Sequence, residues 1–279
     1  MTRHRRNLVW SFAAVSGIIV ALGVRAFWIE PASLAVVEER ITLHWSLHGP
    51  LRIAVLSDLH VGSPFNGIEN LRRVVDRTND ARPDIVCILG DLVIQGVRGG
   101  HFVPPEEIGF ELKRLRATAG VFGVLGNHDG HLGHDRVAAA VTKNGVRLVE
   151  DTAVKVTTPA GEIWIAGLSD KWTGRHDLPA AMAAVGSDSA PILLMTHNPD
   201  VFPDVPARVS LTLAGHTHGG QVRFPLIGAP IVPSEYGSRF AAGHIIEGGR
   251  HMFVATGVGT SIWPVRFRVP PSIALLTVE

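Results

Sequence analysis

The sequence predicts a layered α/β fold with two packed, largely mixed β-sheets and helices on the outside. Three observations carry that expectation. Short, unbroken apolar runs recur along the chain: LRIAVLS (51–57), DIVCILG (84–90), GVFGVLG (120–126), PILLMT (191–196) and VSLTLAG (209–215). Runs of this length without polar alternation are strands covered on both faces. Helical patterns lie between the early runs, so the first half reads β-α-β-α-β. The composition supplies the core: 46% of 279 residues are hydrophobic and only 18% are charged, which excludes intrinsic disorder.

The chain opens Met1-Thr2-Arg3-His4-Arg5-Arg6 and continues into an uncharged run from Leu8 to Val24. Seventeen residues span about 25 Å as a helix, slightly short of the roughly 30 Å hydrocarbon core. Arg25 interrupts the run and Ala26-Phe27-Trp28-Ile29 resumes it. An Arg near a helix end snorkels to the headgroups, so Leu8 to Ile29 is long enough to span, with Trp28 in the interfacial belt. Residues 1–30 are therefore expected to be a membrane anchor or signal-like segment, and residues 31–279 one catalytic domain. Arg3, Arg5 and Arg6 favour a cytoplasmic N-terminus, which puts that domain outside the cytoplasm in a single-pass arrangement. A cleaved secretory signal, a twin-arginine export signal and a buried core helix are the competing readings.

After the anchor, strand-like pieces are expected near Leu34–Val37 and Ile41–Trp45. Ile68, Leu71, Val74 and Val75 form one apolar helical stripe, with Asn66 as its cap. Pro104-Pro105-Glu106-Glu107 opens a second helix running to about Arg116. A shorter third covers about Asp135 to Val141. Beyond residue 145, VRLV, AVKVTT, EIWIAG, MFVAT and IALLTV read as strands.

Lys and Arg number 26 against 25 Asp and Glu, a formal net charge of +1. That balance gives no reason to expect a nucleic-acid partner. The single cysteine, Cys87, excludes a disulfide scaffold and reads as a buried, inert thiol within a strand.

The chemistry collects where the apolar strands end. Asp58, His60, Asp91, Asn127, His128, His197, His216 and His218 all follow such runs, and strand C-termini carry the sites of open α/β sheets. One Asp or His after a strand is ordinarily a turn former or cap. Eight around one rim, two of the pairs spaced one residue apart, are not. Imidazole with carboxylate suits Mn, Fe, Zn, Co or Ni. Two cations about 3.5–4 Å apart need a shared carboxylate, and Asp91, central in the set, is the natural bridge. The remaining histidines (His44, His48, His101, His176, His244 and His251) read as surface or packing residues. His131 or His134, just after the third run, can approach the cleft.

The blocks LSDLH (56–60), LGD (89–91), GNHD (126–129), THNPD (196–200) and GHTHGG (215–220) resemble, in order, the signature of the calcineurin-like metallophosphoesterase superfamily. The stretches GHTHGGQVRFP and GVGTSIWPVRFRVPP and the N-terminal anchor are similar to its membrane-associated bacterial phosphodiesterase branch, the YkuE/YaeI type. The resemblance implies the metallo-dependent phosphatase fold, a four-layer α-β-β-α sandwich. It also implies two divalent ions per chain. Asp58, His60 and His218 would hold one and Asn127, His197 and His216 the other, with Asp91 bridging. His128 would contact the phosphate, as would Asn127, and protonate the leaving group, with Asp129 orienting its ring. Arg223 and Arg266 are candidates for positive charge beside the phosphate.

The implied reaction is hydrolysis of a phosphodiester or pyrophosphate bond. An anchored enzyme meets substrates at the bilayer, so a membrane lipid or lipid-linked pyrophosphate is the expected class. FPLIGAPIVP (224–233) is an apolar loop positioned by sequence beside the histidine cluster; it is either a packed loop or a lipid contact. The competing functional reading is an inactive metal-binding scaffold in a membrane-associated assembly. It predicts eroded ligands or a replaced His128, and the sequence has neither.

Overall fold

The computed structural model describes every residue except 1, 2, 44 and 46; His44, assigned above to a packing role, lies outside the described residues. The strands are β1 (Ala35–Ile41), β2 (Leu51–Leu56), β3 (Ile85–Leu89), β4 (Gly120–Val124), β5 (Arg147–Leu148), β6 (Thr152–Thr158), β7 (Gly161–Gly167), β8 (Ile192–Met195), β9 (Leu211–Ala214), β10 (Gly243–Glu247), β11 (Arg250–Val254) and β12 (Ser272–Val278). The helices are α1 (Arg3–Val24), α2 (Ile68–Asp80), α3 (Pro105–Leu112), α4 (Asn127–Thr142) and α5 (Leu178–Val185).

Two six-stranded sheets form, in the orders β1-β12-β2-β3-β4-β5 and β10-β11-β9-β8-β7-β6. Both are mixed. In the first, β2, β3, β4 and β5 run parallel, while β12 is antiparallel to β2 and parallel to β1. In the second, β7, β8, β9 and β11 run parallel, with β6 and β10 antiparallel at the edges. The expectation of two mixed sheets flanked by helices holds.

The all-apolar strands follow from burial on both faces. Ile53, Val55, Cys87, Leu89, Leu193, Met195, Leu211 and Leu213 point between the sheets into one core. On the other face of the first sheet, Ala54, Leu56, Val86 and Ile88 meet Leu71, Val74 and Val75 of α2 and Ile108 and Leu112 of α3. Leu194 and Ile192 of the second sheet meet Ala181 and Val185 of α5. Three apolar layers thus separate four layers of structure.

Several local expectations need correction. The strand pieces near Leu34 and Ile41 are one strand, β1, which ends at Ile41. The α2 cap is Gly67, and Asn66 instead donates its side-chain amide to the carbonyls of Leu59 and His60. The third helix begins at Asn127, eight residues before Asp135, with a break at Gly133, whose φ is 133°. It starts early because Asp129 closes a capping box onto the Gly126 N–H. The Leu178–Val185 helix has Asp177 as its cap, bonding the Ala180 N–H at 2.9 Å.

At the N-terminus, Arg3 to Ile29 is helical, with a π-helical last stretch from Arg25. It is long and apolar enough to cross a membrane, and its apolar side chains, among them Leu8, Trp10, Phe12, Ile18 and Trp28, are exposed. Among the described residues, its end is the part hydrogen-bonded to the domain. Ala26 is buried and its carbonyl accepts the Arg266 N–H at 2.9 Å. Buried Glu30 accepts the Val269 N–H at 2.7 Å and pairs with Arg25 at 3.3 Å.

Candidate active site

The loops after β2, β3, β4, β8 and β9 converge at one end of the two sheets. Backbone bonds fasten them together: Asp58 N–H to the Gly90 carbonyl at 3.0 Å, His60 N–H to the Asp91 carbonyl at 2.8 Å, and Gly215 N–H to the His197 carbonyl at 2.9 Å. The local backbone is strained. Asp58, His60, Asp91, His216 and His218 all have positive φ, between 39° and 68°. Left-handed backbone costs about 1–2 kcal/mol per non-glycine residue. Strain concentrated in this way marks side chains that the surrounding structure forces to converge.

All seven residues expected to hold metal meet here. His60 Nε2 lies 3.1 Å from His218 Nε2 and 3.5 Å from Asp91 Oδ2. His218 Nε2 is 3.4 Å from Asp58 Oδ1. On the other side, His197 Nε2 lies 3.3 Å from Asp91 Oδ2, 3.2 Å from Asn127 Oδ1 and 3.1 Å from His216 Nδ1. Three overlapping donor groups result: Asp58, His60 and His218; His60, Asp91 and His128; and Asp91, His197 and His216. Asp91 belongs to both sides.

The donors fit a cation. His60 Nδ1 donates to the Val93 carbonyl at 3.1 Å, and His197 Nδ1 to the Leu89 carbonyl at 2.7 Å. Each bond commits one ring nitrogen and turns the other into the cluster. Asp58 Oδ1 and His216 Nε2 are buried and make no hydrogen bond among the described residues. Orphaned buried acceptors are costly unless something else satisfies them. Electrostatics point the same way. Burial lowers His60 and His216 to about 3 and His218 well below its usual value, so their lone pairs stay available. Burial lifts Asp58 to about 6, against the charge of His197. Burial opposes ionisation of Asp91, but His197 and His60 overcome it and hold the carboxyl well below its usual range. Burial likewise opposes charge on His197, and Asp91 outweighs it, raising His197 to about 10.

A cleft of about 530 Å³ opens over this cluster, lined by Asp91, Asn127, His128, Trp172, His216 and His218, and by Gln95, His131, Ile231 and Ile262 at its rim. His128 stands edge-on to His60, with ring centroids 4.8 Å apart. Its backbone N–H donates to Asp91 Oδ1 at 2.8 Å.

Three expected roles are placed differently. Asp129 does not touch the His128 ring; its carboxylate is spent on the backbone N–H groups of Leu92, Val93 and Gly126 at 3.0, 3.2 and 3.1 Å. Gln95 holds the ring instead, accepting from Nδ1 at 3.0 Å. Arg266 is fully buried behind His218, 3.4 Å from its Nδ1, and donates to the carbonyls of Thr256, Gly257, Gly259 and Val269. Arg223 lines a separate crevice with Phe224, Leu226 and Arg268. Sequence reasoning missed Gln95 and also Trp172, whose ring meets His216 edge-on at 4.5 Å. Neither lies in a signature block. Of the other histidines, His131 reaches the cleft and His134 pairs with Glu150 at 2.7 Å.

The family model for calcineurin-like phosphoesterases matches residues 51–220, the segment from β2 through the His216 and His218 pair. The chain belongs to the calcineurin-like phosphoesterase family. This phosphoesterase is 29% identical over 278 residues to phosphodiesterase YaeI of Escherichia coli strain K12, covering 98% of each chain. It is 29% identical over 286 residues to the metallophosphoesterase YkuE of Bacillus subtilis strain 168, covering 99% of this chain and 97% of YkuE. A zebrafish transmembrane protein with a metallophosphoesterase domain is 32% identical over 195 residues, covering 65% of this chain and 43% of its own. As a metallophosphoesterase, the chain is a phosphoric ester hydrolase of the YkuE/YaeI type.

Proposed function

We propose that this phosphoesterase is a two-metal phosphodiesterase anchored in a cell membrane through residues 1–30, with residues 31–279 as the catalytic domain. Asp58, His60 and His218 hold one divalent cation and Asn127, His197 and His216 the other, with Asp91 shared. The observation that carries this reading is the convergence of six nitrogen and oxygen donors around the Asp91 carboxylate, two of their buried atoms being orphaned. The mixed imidazole and carboxylate set suits Mn, Fe, Zn, Co or Ni. Bound there, such cations supply Lewis-acid charge to the phosphoryl oxygens and lower the pKa of the attacking water.

The chain's own residues do the rest. The Asn127 amide and His128 ring, both lining the cleft, orient the phosphoryl group. His128 Nδ1 is committed to Gln95, so Nε2 is the atom that delivers a proton to the leaving oxygen. Burial lowers the pKa of His128, so the imidazolium that carries the Nε2 proton is populated toward lower pH. Trp172, Ile231 and Ile262 give the cleft an apolar wall suited to an organic ester group. The exposed apolar helix Arg3–Ile29 supports a domain held at a bilayer, the N-terminal arginines support an orientation outside the cytoplasm, and together they favour a membrane phospholipid or lipid-linked pyrophosphate as substrate.

The test is a hydrolysis panel on the full chain in detergent, purified without chelator. It holds an aryl phosphomonoester, an aryl phosphodiester, a phospholipid and a nucleotide-linked lipid pyrophosphate, each with and without added Mn²⁺. Metal-dependent turnover of the diester or pyrophosphate is expected. Folded, metal-loaded protein that turns over none of them would favour the scaffold reading.

A further inference from the structure

The end of the N-terminal helix, the 222–231 loop and the rim of the cleft form one continuous hydrogen-bonded strip. Ala26 carbonyl accepts the Arg266 N–H at 2.9 Å. The adjoining Phe267 donates its N–H to the Gln221 carbonyl and accepts the Arg223 N–H, both at 2.9 Å. The Gln221 side chain then bonds Ser261 in both directions, at 3.1 and 2.8 Å. Gln221, Ser261 and Ile262 line the cleft over the metal ligands. The helix exit is thus separated from the cleft rim by two short paired segments.

That strip carries unusual exposure. Leu226 is fully exposed, Ile231 78%, Ile227 75% and Ile262 71%, with Phe224 and Trp263 about half exposed beside them. Soluble surfaces seldom gather aliphatic side chains in this way without a partner. The loop is built to present them. Phe224 and Gly228 exchange backbone hydrogen bonds at 2.8 and 3.0 Å, closing a tight turn with Leu226 and Ile227 at its tip. Cations flank the patch: exposed Arg223 and Arg268 beside the turn, and Arg98 with its guanidinium 5.3 Å from the Trp263 ring. The nearest exposed acid along the loop, Glu235, is paired with Lys171 at 3.1 Å.

We propose that Phe224–Ile231 together with Ile262 and Trp263 is a bilayer-docking surface, which seats the mouth of the cleft on an anionic phospholipid membrane. The inference rests on the anchoring role of residues 1–30. Continuity with the helix exit fixes which occupant meets the patch: a chain leaving the bilayer at Ile29 brings Phe267 and the 224–228 turn to the interface with it. The aliphatic tip enters the acyl boundary, and the arginines meet lipid phosphates. The cleft then opens toward the headgroups, so a lipid phosphoester reaches the metals without leaving the membrane.

Cys87 is the only cysteine, and it is fully buried, so a cysteine placed elsewhere labels selectively. The experiment places an environment-sensitive fluorophore at Ile227→Cys in the full chain, reconstituted in phosphatidylcholine–phosphatidylglycerol vesicles. Thr157→Cys, at the opposite end of the second sheet, is the comparator. Nitroxide-bearing lipids are expected to quench the Ile227 label severalfold and leave the Thr157 label unchanged. An unquenched Ile227 label overturns the proposal, and one that is blue-shifted in the vesicles yet unquenched indicates a second copy or a protein partner on the patch. In parallel, Leu226→Asp with Ile227→Asp is expected to slow hydrolysis of a vesicle phospholipid about tenfold and leave a soluble aryl diester unaffected. Equal loss on both also overturns it. If the wild type hydrolyses neither, the phosphodiesterase reading fails, while the quenching result still decides the docking surface.

Discussion

Gln95 grips His128 at two points: its Oε1 accepts from the ring Nδ1 at 3.0 Å and its Nε2 donates to the backbone carbonyl at 3.0 Å. The double contact fixes both the orientation and the tautomer of the cleft histidine assigned to protonating the leaving group. Gln95→Leu is expected to lower kcat by about tenfold to a hundredfold with metal content unchanged, less than the roughly 10²–10⁴-fold that complete loss of a general acid costs. Gln95→Glu tests the assignment more sharply. A carboxylate beside Nδ1 favours the imidazolium, so the alkaline fall of activity moves to higher pH. An unmoved pH profile in Gln95→Glu would contradict the role given to this residue.

Arg266 is expected to act on stability, not on substrate binding. Its guanidinium satisfies four backbone carbonyls in the loops behind His218. Arg266→Met leaves those acceptors unpaired, each costing about 1–3 kcal/mol. Denaturant unfolding of the metal-free protein is expected to show a loss of at least about 3 kcal/mol. Arg266→Lys does not restore it, because an ammonium lacks the planar fork. A variant of unchanged stability with only KM raised would return Arg266 to the substrate.

The contrast between these residues shows what the sequence made legible. The strands and the seven converging donors could be read because each strand is a continuous apolar run ending in a polar group, a local signal of burial and topology. Roles set by contacts between distant segments carried no such signal. Gln95 lies in an irregular loop, and Asp129, though adjacent to His128, turns back to the strand-end amides. Arg223 and Arg266 have the same chemistry in sequence, and only packing separates an exposed arginine from one sealed behind a ligand. The α4 start was masked by Gly130 and Gly133, which depress helix propensity where a capping box overrides it.

Gly126 is expected to govern metal affinity. A Cβ there would collide with Asp91 Oδ1 and come within 2.8 Å of His197 Cε1. Gly126→Ala therefore displaces the shared carboxylate. Titration with Mn²⁺ is predicted to show affinity weakened about tenfold or more, with the circular dichroism of the fold retained. Unchanged affinity would mean that Asp91 is not shared.

His134 supplies a pH-dependent contribution remote from the metal donors. Partial burial opposes its charge, but hydrogen bonds to Glu150 at 2.7 Å and to Asp135 at 3.2 Å prevail and raise its pKa above the usual 6.5. A histidine raised on folding contributes stability that is full below pH 6.5 and is lost as pH rises through the folded value. The side chain is about half exposed, so the contribution is about 0.5 kcal/mol. The stability gap between wild type and His134→Gln is predicted to be largest at pH 6 and to close toward pH 9. A gap independent of pH would contradict the pairing.

The most direct test of the central claim is metal content measured with turnover, on the full chain and on Asp91→Asn. Wild type is expected to hold two divalent ions per chain and to turn over an aryl phosphodiester, with activity abolished by a chelator and restored by added metal. Asp91→Asn is predicted to hold fewer than two and to be inactive while folded. Folded wild type that binds no divalent metal, or Asp91→Asn with full metal content and turnover, would contradict it.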